Sequence, residues 1–140
     1  MKSLIFICAF VLNFASAFAT SKTPEAALNA FHKMFPGATA ESWDQESAHN
    51  YEVAFVQNNV HYSANFNEKG EWLETETPSS FEQLPNAVQT AFQQAHPGVK
   101  AFAVAKIETA QQGVIYEVEV KNGLKVKEYF FKADGSTTSE

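Results

Sequence analysis

The residues whose types could support acid/base or metal chemistry are four histidines and sixteen acidic residues. The histidines are His32, His49, His61 and His96. None lies two or four residues from another, as a metal-binding pair on one strand or one helix would. The sequence also contains no Gly-x-Ser-x-Gly elbow, no phosphate-binding glycine loop and no His-Glu-x-x-His helix. We therefore predict no catalytic residue, no metal ligand and no cofactor, and we interpret the chain as non-enzymatic.

Two groups of glutamates could supply a pair of carboxylates. They are Glu71, Glu74 and Glu76, which follow Gly70, and Glu117, Glu119 and Glu128 in a predicted hairpin. General acid/base chemistry needs two carboxylates held in a cleft with divergent pKa values. Glutamates that alternate along a strand are instead typical of a solvated sheet face, and lysines at 121, 125 and 127 could balance their charge. We predict that these carboxylates are solvent-exposed.

The charge of the chain excludes whole classes of partner. Its 140 residues carry a net charge of −6 and include no arginine. Nucleic-acid recognition uses basic stripes and bidentate arginine contacts, so we predict no nucleic-acid partner. Anionic membrane surfaces are disfavoured for the same reason.

The N-terminal residues are typical of an export signal. Lys2 precedes an apolar run, residues 4–14, that only Asn13 interrupts, and small residues follow it. We predict a signal peptide over residues 1–19, cut after Ala19 or, alternatively, after Ala17; an uncleaved anchor is the other interpretation. Cleavage would remove Cys8, the only cysteine, and leave no membrane anchor. The expected product is a periplasmic or secreted monomer without disulfides.

The rest of the chain matches itself in two ordered stretches. Pro24, Phe31 and Pro36 match Pro85, Phe92 and Pro97 at one constant offset, and Tyr51, Val53, Phe66 and Gly70 match Tyr116, Val118, Phe131 and Gly135 at another. We interpret this as an internal duplication. The predicted domain, residues 20–140, then consists of repeats at about 23–77 and 84–140, joined by a linker at 78–83.

Each repeat is predicted to be a helix followed by three to four antiparallel strands. Prolines suit the first turn of each helix, with Thr23 as a cap for the first, and Pro-Gly pairs end both helices. Asn58-Asn59 predicts a two-residue turn, whereas the second hairpin can turn at Asn122-Gly123 or at Gly123-Leu124. The economical assembly is an α+β fold with both helices on one face of an antiparallel sheet.

The order of several short motifs resembles a known family. The motifs are Ala30-Phe31, Phe35-Pro36-Gly37-Ala38, Trp43, Tyr51-Glu52-Val53, Phe66-Asn67-Glu68-Lys69-Gly70-Glu71-Trp72, Leu84-Pro85 and Phe131-Lys132-Ala133-Asp134-Gly135. The sequence is similar to the PepSY-like, β-lactamase-inhibitor-like domains of exported Bacteroidetes proteins. The resemblance implies a concave sheet that docks on a protein, with inhibition or regulation of an envelope enzyme such as a peptidase. The disulfides of the true inhibitor are missing, so inhibition of β-lactamase itself is not expected.

The helix-free face of the sheet is therefore the predicted binding surface for an unknown envelope or secreted protein. Its candidate residues are Val56, His61, Val126, Glu128 and Phe130, together with Trp43 and Trp72 at the sheet margin. This hypothesis predicts an apolar and acidic face without a deep cavity. The alternative, a small-ligand carrier, requires a pocket between helices and sheet, lined by residues such as Tyr51, Tyr62 and Phe66.

Overall fold

The computed structural model describes residues 22–139, so the predicted signal peptide and Cys8 lie outside the described residues. The elements of the first half are helix α1 (Glu25–Met34) and strands β1 (Thr39–Gln45), β2 (Asn50–Gln57), β3 (Val60–Asn67) and β4 (Trp72–Pro78). A short 3-10 helix (Phe81–Gln83) leads into α2 (Asn86–Ala95) and strands β5 (Ala103–Thr109), β6 (Gly113–Asn122), β7 (Lys125–Lys132) and β8 (Thr137–Thr138). Between residues 22 and 139, no helix has the length and apolarity needed to cross a membrane.

The strands form one eight-stranded sheet in sequence order, and every neighbouring pair is antiparallel. Because each strand pairs with the next one along the chain, short turns join most neighbours. The exception is the β4–β5 connection, which contains α2. The α+β prediction is confirmed. A helix followed by four strands occurs twice in the element order, whereas the duplication itself stays a prediction.

Both helices bury one narrow stripe against the sheet. Ala27 and Phe31 are the buried residues of α1, and Val88 and Phe92 are those of α2. Residues four apart lie on one side of a helix, which accounts for both pairs. The predicted Thr23 cap is wrong: the helix begins at Glu25, so the N-cap position falls on Pro24, which has no side-chain acceptor.

Aromatic rings fill the space between helices and sheet. The Phe31 ring meets Phe55 at a centroid distance of 5.2 Å and Trp43 at 5.7 Å. In the second half, the Phe92 ring lies 6.4 Å from Phe131 and 6.0 Å from Tyr129. These edge-on contacts add to the hydrophobic gain from burial and hold each helix over its own four strands.

Two hairpin turns fix which side chains face the helices. Asn58 and Asn59 have φ values of 53° and 62°, as the predicted two-residue turn requires. In the second hairpin Asn122 lies opposite Lys125, so the turn is Gly123-Leu124 and the alternative at Asn122-Gly123 is wrong. A one-residue slip would have moved every β7 side chain to the other face.

Candidate partner-binding groove

The sheet face opposite the helices is here called the open face. Strand pairing places Val56 beside His61 in the first half, and Glu128 beside Glu119 in the second. Their chain neighbours, such as Phe55 and Tyr129, point to the helix side and pack there. The outward orientation that alternation predicts for this face is confirmed.

A groove lies on the open face where β3 to β7 curve past one another. Its volume is about 680 Å3. Carboxylates of Glu76, Glu117 and Glu119 line it, and Phe102 and Leu124 form apolar parts of its rim. The prediction of a face without a deep cavity is therefore wrong. The physical reason is that a twisted sheet curves, and the segment before β5 and the β6–β7 hairpin tip add walls that alternation does not reveal.

Two glutamates in this groove are almost completely buried. Glu117 is 2% exposed and Glu119 is 4% exposed. The prediction that these alternating glutamates form a solvated face is wrong, because curvature and neighbouring strands cover the centre of β6. Glu119 Oε2 has no hydrogen-bond partner among the described residues. Burial raises the pKa of the Glu119 carboxyl to about 7, and the nearby charges of Glu128 and Glu76 raise it further.

A second acidic area adjoins the groove on the first half of the sheet. Burial raises the pKa of the Glu52 carboxyl to about 7, and a side-chain hydrogen bond and the charge of Glu46 add to the increase. Next to it, Asn65 Nδ2 donates to Glu74 Oε1 at 2.7 Å, and Ser63 Oγ donates to Glu76 Oε2 at 3.4 Å. The open face is thus acidic across both halves of the sheet.

The structure brings five of the seven candidate residues to the open face. His61 and Val126 line the groove. Phe130 packs on a small buried cluster of this face, formed by Ala105, Ile107 and Ile115. Val56 on β2 and Glu128 on β7 are partly buried on the same face. His61 Nδ1 lies 3.2 Å from Glu41 Oε2, so its ring is oriented by a carboxylate outside the groove.

The two tryptophans lie elsewhere. Trp43 and Trp72 are partly buried, as expected at the sheet margin, but they pack against the core under α1. The indole Nε1 of Trp72 donates to Thr75 Oγ1 at 2.9 Å. Because this is the helix side of the sheet, both residues are separated from the open face, and the structure does not join them to the other candidates.

Five residues shape the groove, of which the three glutamates were expected to be solvated carboxylates and the two apolar residues were not expected at a site. They are Glu76, Glu117, Glu119, Phe102 and Leu124. No sequence signal predicted the burial of Glu117 and Glu119, because their alternation with Tyr116, Val118 and Val120 is typical of a half-buried strand whose polar side is solvated. No sequence signal connects Phe102 or Leu124 to these carboxylates, because the contact depends on the sheet.

The histidines form no catalytic or metal cluster in the part of the chain that the structure describes. His49 Nδ1 pairs with Glu68 Oε2 at 3.1 Å at the surface. Across residues 22–139 there is no group of three or more His, Asp or Glu side chains placed to hold a metal ion. The side chains on the open face therefore offer hydrogen-bond acceptors, negative charge and apolar contact area.

The residues that were expected to line a carrier's pocket between helices and sheet pack against one another or into the core. Tyr51 and Phe66 are buried, and Phe66 belongs to the core under α1. Tyr62 is stacked on Phe55 with ring centroids 5.3 Å apart. The groove described above lies on the opposite side of the sheet, on the open face.

Comparison with known proteins gives matches in family and in fold. The family model described as "Putative beta-lactamase-inhibitor-like, PepSY-like" matches residues 49–135. A crystal structure of a BLIP-like protein from Bacteroides fragilis is similar, with 26% identity, a TM-score of 0.68 and coverage of 84% of each chain. A protein from Bacteroides eggerthii, described as one of the "putative periplasmic proteins", shares the fold with 21% identity, a TM-score of 0.73 and coverage of 84% of this chain and 87% of its own. No curated protein matches the sequence.

Proposed function

The chain belongs to the PepSY-like, β-lactamase-inhibitor-like family, and from that premise we propose that it is a binding protein whose open face docks on a partner protein. The observation that carries the proposal is the groove of about 680 Å3, where buried carboxylates lie beneath an apolar rim. Among residues 22–139 the two α-helices cover the other face of the sheet, which leaves this face available for a partner.

The charge and apolar area of the open face indicate which groups a partner should carry. Negative charge at the floor favours a surface that carries basic side chains, since complementary potentials steer and orient association. The rim includes Leu124, which is fully exposed, and Phe102, which is 55% exposed. Large apolar side chains rimming a polar groove are typical of an interface with another protein.

The finer role that we propose is inhibition or regulation of an envelope enzyme such as a peptidase, in the periplasm or outside the cell. Three observations support it: the family described above, the name of the Bacteroides eggerthii neighbour, and the signal-like residues 1–19. β-Lactamase itself is not the proposed target.

A second candidate function, the binding of a small ligand, is favoured by the volume of the groove. Ligand pockets in proteins measure about 300–1,000 Å3, and they combine an apolar lining with a few polar groups. The groove has both features. The apolar side chains on the rim favour the protein partner, because a small molecule on the groove floor would leave Leu124 uncovered.

The test of the proposed function is site-directed photo-crosslinking followed by binding to the purified partner. Residues 20–140 carry the crosslinker at position 124 on the groove rim or, as the matched control, at Gln94 on the exposed side of α2. Both are incubated with envelope and secreted fractions of the source organism. We expect one protein to crosslink at 124 and not at 94.

That protein is then purified and titrated with three forms of the chain: wild type, Leu124→Asp and Gln94→Asp. Leu124→Asp is expected to weaken binding by at least about tenfold, because it places a charge at an apolar contact, whereas Gln94→Asp leaves it unchanged. Equal binding by all three forms, or crosslinking at 94 alone, would show that the open face is not the interface.

A further inference from the structure

We propose that the floor of the groove is a pocket for a single basic side chain of the partner, whose ammonium or guanidinium group is bound by the Glu119 carboxylate. The inference rests on the proposed function, since it specifies which chemical group of a docking protein enters the open face. It assigns to Glu119 the role of the residue that selects the partner.

The first observation is the state of the Glu119 side chain. It is 4% exposed, it lines the groove, and its Oε2 has no hydrogen-bond partner among the described residues. Burying an unpaired polar group is unfavourable, and burying an unpaired charge is more so. A donor group that entered the groove would form a charge-assisted hydrogen bond with the Glu119 carboxylate once the side chain turned this covered oxygen toward it, and such a bond is stronger than a neutral one.

The second observation is the charge around Glu119. Glu128 lies opposite it on β7, and Glu76 on β4 and Glu117 on β6 line the same groove. Two groups nearby can carry positive charge. His61 pairs with Glu41, and Lys121 Nζ lies 4.8 Å from the centre of the Phe102 ring. The carboxylates outnumber these groups, so the floor attracts a cation.

The third observation is the apolar lining, which distinguishes a protein side chain from a free cation. Val126, Ala105 and Pro78 line the groove together with the carboxylates. A lysine or arginine has a methylene stem that packs on apolar surface while its charged end reaches a carboxylate. The flanking residues of the partner would then cover Leu124 at the rim.

Proton competition gives this pocket a pH dependence. Burial, then Glu128 and Glu76, raise the pKa of Glu119 to about 7, so a proton occupies the carboxylate in mildly acidic solution. A bound cation favours the ionised form and lowers that pKa. Binding therefore releases a proton, and the affinity rises as the pH increases through neutrality.

The test uses two probe peptides, acetyl-Leu-Arg-Leu-amide and the same peptide with citrulline, which keeps the shape of arginine but not its charge. The protein is residues 20–140 with 13C-labelled glutamate, and NMR follows the Glu119 carboxyl resonance. Millimolar arginine peptide is expected to lower the titration midpoint of Glu119 and to shift amide signals of residues 117–121. The citrulline peptide should do neither.

Glu119→Gln is expected to weaken arginine-peptide binding by at least about tenfold, since it removes a charge-assisted hydrogen bond. Glu108→Gln is the matched control: it is the same change at an exposed residue of β5, which points to the other side of the sheet. A thermal melt of each variant establishes that it is folded.

Three outcomes would overturn the inference. They are an unchanged Glu119 titration with the arginine peptide, equal binding of both peptides, and tighter binding of spermidine than of the arginine peptide, which would indicate a small polyamine site. The purified partner separates this inference from the proposed function. A partner that tolerates Glu119→Gln but not Leu124→Asp uses the open face without the cation pocket.

Discussion

At the scale of single residues, the open face shows how position in a sheet changes the behaviour of a glutamate. Glu108 on β5 is exposed and pairs with Lys106 at 2.7 Å, whereas Glu119 on the neighbouring strand is buried beside other carboxylates. The same functional group is therefore a solvated charge at position 108, whereas at position 119 burial and neighbouring carboxylates raise its pKa. The difference has measurable consequences for stability and for binding.

Glu119→Gln is expected to change how stability depends on pH. The folded pKa is about 7, above the ordinary value of 4.5, so the folded state binds the proton more tightly than the unfolded state. The contribution of this residue is fully present below about pH 4.5 and is lost as the pH rises through about 7. The amide resembles the protonated acid and does not titrate.

As the pH rises from about 5 to about 8, the free energy of unfolding of the variant should therefore increase by about 1–2 kcal/mol relative to that of the wild type. Urea unfolding measures both values. The pKa of Glu52 is also raised to about 7, so the stability of both proteins still depends on pH through this residue. Glu108→Gln should leave the slope unchanged. A wild-type protein that becomes more stable over this range would contradict the expectation.

Phe130 and Leu124 are both apolar residues of the open face, but we expect opposite effects on folding. Phe130 packs on the buried cluster of Ala105, Ile107 and Ile115, whereas Leu124 is fully exposed at the hairpin tip. Phe130→Glu should lower the free energy of unfolding by about 2–4 kcal/mol. Leu124→Asp should change it by less than about 0.5 kcal/mol.

Urea titrations of both variants check this pair of expectations. The outcome also decides which substitution is suitable for binding experiments, because a variant that unfolds loses binding whether or not the residue contacts the partner. Similar stability losses in the two variants would mean that the hairpin tip is packed rather than exposed.

At the scale of elements, two turns hold the helices against the sheet. A Cβ atom at Gly70 would lie 2.5 Å from the carbonyl oxygen of Ala26 in α1, and one at Gly135 would lie 2.6 Å from that of Ala87 in α2. The turn after β3 and the turn after β7 thus approach the first turn of a helix closely. Glycine is required at both positions for space as well as for its positive φ.

Gly135→Ala is expected to destabilise the protein by about 3 kcal/mol, because the new methyl group collides with helix backbone in addition to the unfavourable φ of 84°. Gly98→Ala is the matched control, since Gly98 has a φ of 75° but no heavy atom within 4 Å of the added Cβ. Gly98→Ala should lower the free energy of unfolding by only about 1 kcal/mol. Thermal unfolding of both variants measures the difference, and equal losses would mean that the α2 contact contributes nothing.

At the scale of the whole molecule, β4 and β5 join the two halves into a single sheet. Their pairing runs from Glu74 opposite Thr109 to Pro78 opposite Ala105. Each half nevertheless has its own core, centred on Phe31 and on Phe92. Whether the halves unfold together depends on whether the β4–β5 pairing couples these cores.

Phe92→Ala tests the coupling, because both tryptophans, Trp43 and Trp72, lie in the first half. Removal of a buried ring destabilises by about 3–5 kcal/mol. In a cooperative molecule the tryptophan fluorescence transition shifts by the full amount and coincides with the circular dichroism transition. Gln94→Ala, at an exposed position of α2, should shift neither. An unshifted fluorescence transition in Phe92→Ala would mean that the first half unfolds independently.

Local patterns in the sequence are enough to predict the helices, the first hairpin turn and the side chains that β2 presents to the core. The four-residue spacing of Ala27 and Phe31 fixes the buried stripe of α1, and the alternation of Val53 and Phe55 fixes the face of β2 that packs beneath it. Asn58-Asn59 fixes the first turn, since asparagine tolerates positive φ. These features depend on residues close in the chain, so pattern and propensity were sufficient.

Which outward residues are buried, and what site they form together, depends on contacts between distant parts of the chain. Alternation identifies the face of Glu117 and Glu119, but exposure depends on sheet curvature and on segments distant in sequence, such as the hairpin tip at Leu124 and the turn before β5 at Phe102. Either glycine-containing turn was locally acceptable in the second hairpin. In the observed register Val118 pairs with Tyr129, and both side chains pack in the core beneath α2.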